Sequence, residues 1–241
     1  MKTLKIKHVV FIIAAIIIVD QTLKIWIKTS LPPAPSPGHE IRVLGMDWFR
    51  INFIENPGMA WGWKFGNETG KMVLTLFRLA AVIFGTWYLG QIVKKQYRRG
   101  FIVCAALIYA GALGNLIDSM FYGMIFDQGL HYNPVINDYD SYTGIAHFSA
   151  QGYSSFLHGS VVDMLYFPIL ESKHFPSWFP FVGGDEFTFF SPIFNIADAS
   201  ISLGVITLLL FQKRFFKKHT PKETHATVET STDISDKMQV L

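Results

Sequence analysis

Four segments of this 241-residue chain, 8 to 27, 72 to 92, 101 to 122 and 193 to 211, each offer the about 20 mostly apolar residues that a helix needs to cross a hydrocarbon core of roughly 30 Å. A water-soluble domain has no use for four such runs. Composition points the same way, with 50% of residues apolar and 16% charged, against about a quarter charged in an ordinary soluble domain. A soluble enzyme, a disordered chain and a disulfide scaffold are all disfavoured. The net charge of +3 is too small to indicate a nucleic-acid partner. The single cysteine, Cys104, excludes an internal disulfide or a multi-cysteine metal site. It falls near the far end of the third run and reads as buried packing.

The first run is unbroken only from Val9 to Val19, and a Lys-rich start ahead of such a stretch also fits a signal peptide. No small-residue cleavage site follows it. Asp20 to Ile27 instead continues a helix with Asp20 and Lys24 at i, i+4, so an uncleaved span is expected. The two ends of the chain and the turn at 93 to 100 carry 13 of the 21 Lys and Arg, whereas the long loops 28 to 71 and 123 to 192 carry 6. By the positive-inside rule both termini are cytosolic and both long loops lie outside. Residues 1 to 218 then form one membrane domain, and 219 to 241, rich in Thr, Glu, Asp and Lys, a disordered cytoplasmic tail.

The fold expected is all-α and polytopic, four transmembrane helices with a small β-sheet and an interfacial segment on the outer side. The sheet is read from the loose alternation of Ile41, Val43, Trp48, Ile51 and Phe53 behind the stiff Pro-rich stretch 31 to 38. The interfacial or re-entrant segment is 161 to 170, apolar but too short to span. Phe175, Trp178, Phe179 and Phe181 after it suit the headgroup level. Residues 127 to 142 read as an exposed insertion without an evident role.

Ionisable groups inside a bilayer cost at least about 3 kcal/mol and usually mark function. Counting inward at about 1.5 Å per residue, Asp20, Asn115, Asp118, Asn195 and Asp198 all lie within roughly 10 Å of the outer ends of their runs. The inner halves hold nothing comparable. Gly111, Asn115 and Asp118 fall at i, i+4, i+7 on one helical face and Asn195 and Asp198 at i, i+3 on another. Arg78 is a natural counter-charge at the same level, and Asp163 adds a fourth carboxylate in the apolar outer segment. Interhelical hydrogen bonding alone would account for a lone Asn115, Asn195 or Lys24, but not for three carboxylates at one depth. Two carboxylates held close in a partly desolvated site share a proton, one acting as acid and the other as base, which is the chemistry of water-mediated peptide hydrolysis. The eight histidines show no ligand spacing. No metal or cofactor motif competes. The alternatives are a small proton- or ion-coupled transporter, which would spread polar residues over several depths and show internal repeats, and a non-catalytic membrane scaffold.

At these residues the sequence resembles the bacterial lipoprotein signal peptidase family, also called signal peptidase II. The matching stretches are residues 19 to 24 around Asp20 and Lys24, 53 to 62 around Asn56 and Gly58, 111 to 118 ending in Asn115 and Asp118, 161 to 163 ending in Asp163, and 194 to 198 containing Asn195, Ala197 and Asp198. They occur in the family's order. The resemblance implies an aspartic endopeptidase of the bacterial inner membrane that cuts diacylglyceryl-modified prolipoproteins just before the lipid-bearing cysteine. By the same likeness Asp163 and Asp198 are the catalytic dyad, and Asn56, Gly58, Asn115, Asp118, Asn195 and Ala197 shape the substrate pocket. Asp20, Lys24 and Arg78 are expected to support it. The implied partners are lipid-modified prolipoproteins and membrane lipids, with no nucleic acid, cofactor or metal, and a monomer is expected. The chain departs from the family in three places. Ser119 stands where Arg usually follows the Asp, Pro57 and Met59-Ala60-Trp61 replace a run of small residues, and the outer segments at 123 to 159 and between Asp163 and Asp198 are long.

Overall fold

The structure, a computed structural model, describes residues 4–58, 68–168, 170–174, 186–189 and 192–215. Three helices are long and apolar enough to cross a membrane: α1, Ile6–Lys28; α2, Glu68–Lys94; and α3, Arg99–Ile117, prolonged by a π-type turn at Asp118–Tyr122 and the short α4, Gly123–Ile125. Their outward faces carry side chains that only lipid would suit, such as Phe11 at 73% exposure and Phe77 at 70%. A fourth apolar helix, α5 at Ile196–Leu210, is followed by the short α6 at Gln212–Phe215. Helix α3 is the centre of the bundle and packs against α1, α2 and α5. Gly111 lets α5 come that close, since a Cβ there would run into the Ala197 carbonyl.

The fourth helix is shorter than the expected run from 193 to 211. The Asn195 side chain accepts from Asp198 N and the Asp198 side chain accepts from Asn195 N, a reciprocal capping box that fixes the helix start. Ile193–Phe194 ahead of it is extended and forms strand β8. At 15 residues, α5 rises about 22 Å at 1.5 Å per residue, so membrane crossing is shown by length for three helices and not for this one.

A four-stranded antiparallel sheet runs in the order β1-β2-β5-β8, with β1 at Glu40–Arg42, β2 at Arg50–Asn56 and β5 at Val161–Tyr166. The expectation of an interfacial or re-entrant segment from Val161 onward is therefore corrected. Five of the six residues of β5 are buried, and the strand lies between β2 and β8. A continuous apolar run of that length is also the signature of a strand covered on both faces, and the ladder satisfies a backbone that lipid would leave unpaired. Ile54 pairs with Asp163 and Glu55 with Val162, so Asp163 shares one face with Ile54 and Asn56. The opposite face, with Phe53, Val162 and Met164, closes on a core completed by Ile27, Leu31, Tyr122, Phe126 and Ala146.

The long segment after α4 covers that core. It contains a hairpin, β3 at His131–Asn133 and β4 at Asp138–Asp140, whose Tyr139 ring lies 5.2 Å from Lys71 Nζ of α2, and Phe126 and Phe148 stack 4.9 Å apart. The chain then returns to the π-type turn, where Gly159 N donates to Ser119 O at 2.9 Å and Leu157 N to Met120 O at 3.2 Å. Carbonyls that the wider turn frees from the helix are thus paired. Strands β6 at Leu170–His174 and β7 at Glu186–Phe189 form a separate pair. The expected tail at 219 to 241, the aromatics from Phe175 to Phe181 and Met59-Ala60-Trp61 lie outside the described residues.

Candidate active site

The site is built around one turn of α1. Lys24, wholly buried, sends its Nζ to Asp20 Oδ2 at 3.0 Å and Asp118 Oδ2 at 2.8 Å, and donates to Asn115 Oδ1 at 2.9 Å. Each acid also fixes another element. Asp20 Oδ1 accepts from Ala197 N at 2.9 Å, taking one of the N–H groups left unpaired at the start of α5. Asp118 Oδ2 accepts from Val162 N at 3.3 Å and so holds the beginning of β5. Gln21, which the spacing argument passed over, donates to Asp20 Oδ2 at 3.1 Å and Asp118 Oδ1 at 2.8 Å, and accepts from Tyr122 Oη at 3.1 Å. Its signal was its place beside Asp20 and one turn below Lys24, on the same helical face.

Asn195 is the hub. Its fully buried side-chain amide donates to Asp163 Oδ1 at 2.6 Å and Asn115 Oδ1 at 3.1 Å, while its backbone N donates to Asp198 Oδ2 at 3.3 Å. Asp198 Oδ1 accepts from Asn115 Nδ2 at 2.8 Å. A carboxylate on the sheet and one on the first turn of α5 are therefore tied through a single residue. Asn195 does this as a cap with extended backbone and not from within the helix, as the i, i+3 reading had it. On the other side of Asp163, Asn56 Nδ2 donates to Oδ2 at 3.3 Å, and Asn56 Oδ1 accepts from Gly58 N at 2.9 Å. That tight turn needs Gly58, whose φ of 114° is poorly open to side-chain-bearing residues.

Asp163 is 2% exposed, and burial together with the charge of Asp198 pushes its carboxyl up to about 7. Arg78, on α2, stands within electrostatic reach of Asp198, Asp118 and Asp163. Its Nη1 donates to Ser119 Oγ at 2.8 Å. The guanidinium that the resemblance expects at position 119 is thus delivered to that spot from a different helix. All the expected site residues meet in this one network or beside it: Asp20, Lys24, Asn56, Gly58, Arg78, Asn115, Asp118, Asp163, Asn195, Ala197 and Asp198. Among the described residues no cluster of three or more His, Cys, Asp or Glu side chains is arranged to hold a metal ion.

One turn beyond Lys24 lies a second buried cation that sequence reasoning missed. Lys28 pairs with Glu55, donates to Gln128 O at 2.9 Å, and sits 5.1 to 5.2 Å from the ring centroids of Phe126, Tyr142 and Tyr153. Glu55 further accepts from Leu130 N at 3.1 Å and Tyr142 Oη at 3.1 Å. Five of these partners, Phe126, Gln128, Leu130, Tyr142 and Tyr153, come from the long outer segment, so that segment is clamped against α1 and β2.

A bundle of membrane-length helices, capped by a small sheet that brings a carboxylate to another on a helix start, defines a helical membrane protein with a buried acidic site. The model of the signal peptidase (SPase) II family matches residues 12–214, and the chain belongs to that family of membrane peptidases. It is 43% identical over 211 residues to the lipoprotein signal peptidase of Porphyromonas gingivalis, a match covering 86% of this chain and 84% of the relative. Against the lipoprotein signal peptidase of Amoebophilus asiaticus it is 31% identical over 219 residues, covering 90% and 82%. Among solved structures it is similar to a bacterial membrane enzyme determined by the in meso method at 2.3 Å resolution. That similarity has a TM-score of 0.52 and 26% identity, and covers 91% of this chain and 96% of the other.

Proposed function

We propose that the chain is an aspartic endopeptidase that removes the signal peptide from diacylglyceryl-modified prolipoproteins, cutting just before the lipid-bearing cysteine. The observation that carries this reading is the double engagement of Asn195, side chain to Asp163 and backbone to Asp198. It supports a dyad working on one water. In this reading four helices span the bacterial inner membrane, both termini are cytosolic, and the dyad lies near the outer leaflet, where a lipid-anchored cysteine presents its adjoining peptide bond.

Asp163, pushed up to about 7, is the proton carrier at neutral pH. Asp198, with donors on both oxygens, is the base. It takes a proton from water as the water oxygen attacks the scissile carbonyl carbon, while Asp163 hydrogen-bonds the carbonyl oxygen. The tetrahedral intermediate then collapses, the C–N bond breaks, and the cysteine amine leaves with a proton from the dyad. Asn56 and Asn195 hold Asp163 in orientation throughout, and Lys24 holds the supporting acids Asp20 and Asp118 in place through its Nζ. The titration belongs to the pair as a whole.

Asp163→Asn and Asp198→Asn should each abolish conversion of a lipid-modified prolipoprotein, followed by gel shift in reconstituted vesicles, while the variants still insert and melt like the parent. Undiminished conversion by either variant removes that residue from the dyad.

A further inference from the structure

At the end of the bundle remote from the carboxylates the chain forms a concavity of about 440 Å³, lined by Arg98, Arg99, Gly100, Phe211, Arg214 and Phe215. Sixteen residues separate Arg99 from Asn115 along α3, about 24 Å at 1.5 Å per residue, so this hollow and the proposed active site lie on opposite sides of the apolar layer. None of the three arginines forms an ion pair among the described residues. Between them begins α3, a 19-residue helix whose N-cap, Arg98, offers no side-chain acceptor to the first-turn N–H groups. A helix start carries partial positive charge, and planar guanidinium forks suit a phosphate by paired hydrogen bonds. Phe211, 47% exposed, and Phe215 supply an apolar wall continuous with the helix faces that meet lipid. A free anion has no need of such a wall, whereas a phospholipid has its glycerol and acyl chains just there.

We infer that this hollow binds the phosphate of an anionic phospholipid, seating the cytosolic-leaflet end of α3 against α5 and α6. The site is distinct from the peptidase site and rests only on the spanning orientation of the helices. General attraction of basic residues to an anionic leaflet is the rival account. It treats every lysine and arginine at this end alike, whereas the concavity singles out three. Lys94 and Lys95 are exposed on the same turn and do not line it.

The test uses the full chain, purified and delipidated in detergent, then titrated with dioleoyl phosphatidylglycerol, dioleoyl phosphatidylcholine or inorganic phosphate. Native mass spectrometry reads retained lipid and a melting curve reads stabilisation. Phosphatidylglycerol should be retained in preference to phosphatidylcholine and raise the melting temperature, and Arg98→Gln/Arg214→Gln should lose that preference by about tenfold. Lys94→Gln/Lys95→Gln removes the same charge and should keep it. Equal loss in both double variants would overturn the site in favour of diffuse surface charge. Stabilisation by inorganic phosphate equal to that by the lipid would reassign it to a soluble anion, and absence of any preference for phosphatidylglycerol would end the proposal.

Discussion

Lys24 and Lys28 stand one turn apart on α1, each at most 1% exposed, and are put to different uses. Lys24 faces two carboxylates, Asp20 and Asp118, and the side chain of Asn115 passes its influence on to Asp198. That cluster has more acid than base, and its surplus opens toward Asp163 and Asp198. Lys28 faces one carboxylate, Glu55, and is closed in by three aromatic rings and a carbonyl. Its charge is matched and its donors are satisfied, and beyond it lies only the outer segment. A buried lysine therefore does not mark a reactive centre by itself. What distinguishes the two is whether the acids around the cation outnumber it and whether their hydrogen bonds lead on to further carboxylates, here Asp198 and, through Asn195, Asp163.

Removing each lysine should separate the two roles. Lys24→Met leaves Asp20 and Asp118 buried without a cation, and breaking a buried pair in this way costs about 3–5 kcal/mol. We expect loss of nearly all turnover in whatever fraction folds, because Asp20 holds Ala197 and Asp118 holds Val162, the two backbone anchors of the proposed dyad. Lys28→Met should lower the melting temperature by a comparable stability loss, yet turnover per folded molecule should stay within about threefold of the parent. Because the Lys28–Glu55 pair is self-contained, Lys28→Met/Glu55→Gln should recover much of the lost stability, as exchange of a whole buried pair often does. No single second substitution should rescue Lys24→Met. If the Lys28 variant loses turnover as fully as the Lys24 variant while folded, the two regions are not separate and the contrast fails.

The same two lysines show how much could be read beforehand. Lys24 was legible because Asp20 stands four residues before it inside an apolar run, where a charge must have a reason. The helical spacing of Asn115 and Asp118 gave the other side of its pocket. Lys28 falls at the end of the run, where lysines ordinarily reach water, and nothing local announces that Glu55, Gln128 and Tyr142 will cover it. Those contacts span 27 to 114 residues and depend on how the outer segment folds. Asp163 was singled out as a carboxylate inside an apolar segment, but its strand was misread, because a short fully buried strand and a membrane-surface segment have the same composition. The start of α5 was placed too early for a related reason. Hydropathy does not register a capping box, and Ile193 and Phe194 are as apolar in a strand as in a helix.

A third cation sharpens the contrast. Arg78 is only half-buried and reaches the acid-rich cluster from α2 by its bond to Ser119. Arg78→Gln should reduce cleavage by about tenfold, the scale on which a charged hydrogen bond contributes, with little change in melting temperature. Moving the charge back in Arg78→Ser/Ser119→Arg should restore part of the loss. A double variant no better than Arg78→Gln would mean that the guanidinium acts from α2 for a reason other than its position beside Asp118.

The smallest expected effect is the most specific to the open cluster, because it reads the proton on Asp163 directly. This carboxyl lies at about 7 in the folded chain, against about 3.9 for a free aspartic acid. Its contribution to stability is therefore complete below about pH 4 and is lost as pH rises through about 7. For catalysis the protonated form is needed, so kcat/KM should fall above about pH 7, approaching tenfold per unit. Asn56 donates to Asp163 and holds its pKa down, and Lys24 does the same through its charge. Asn56→Ala should accordingly move the alkaline limb upward, by less than about one unit for a single hydrogen bond, whatever it does to the height of the profile. Lys28 is not among the leading influences on Asp163, so Lys28→Met/Glu55→Gln, which removes a matched pair, should leave the limb where it is. A limb that shifts with the Lys28 pair and not with Asn56 would reverse the assignment of the two buried lysines.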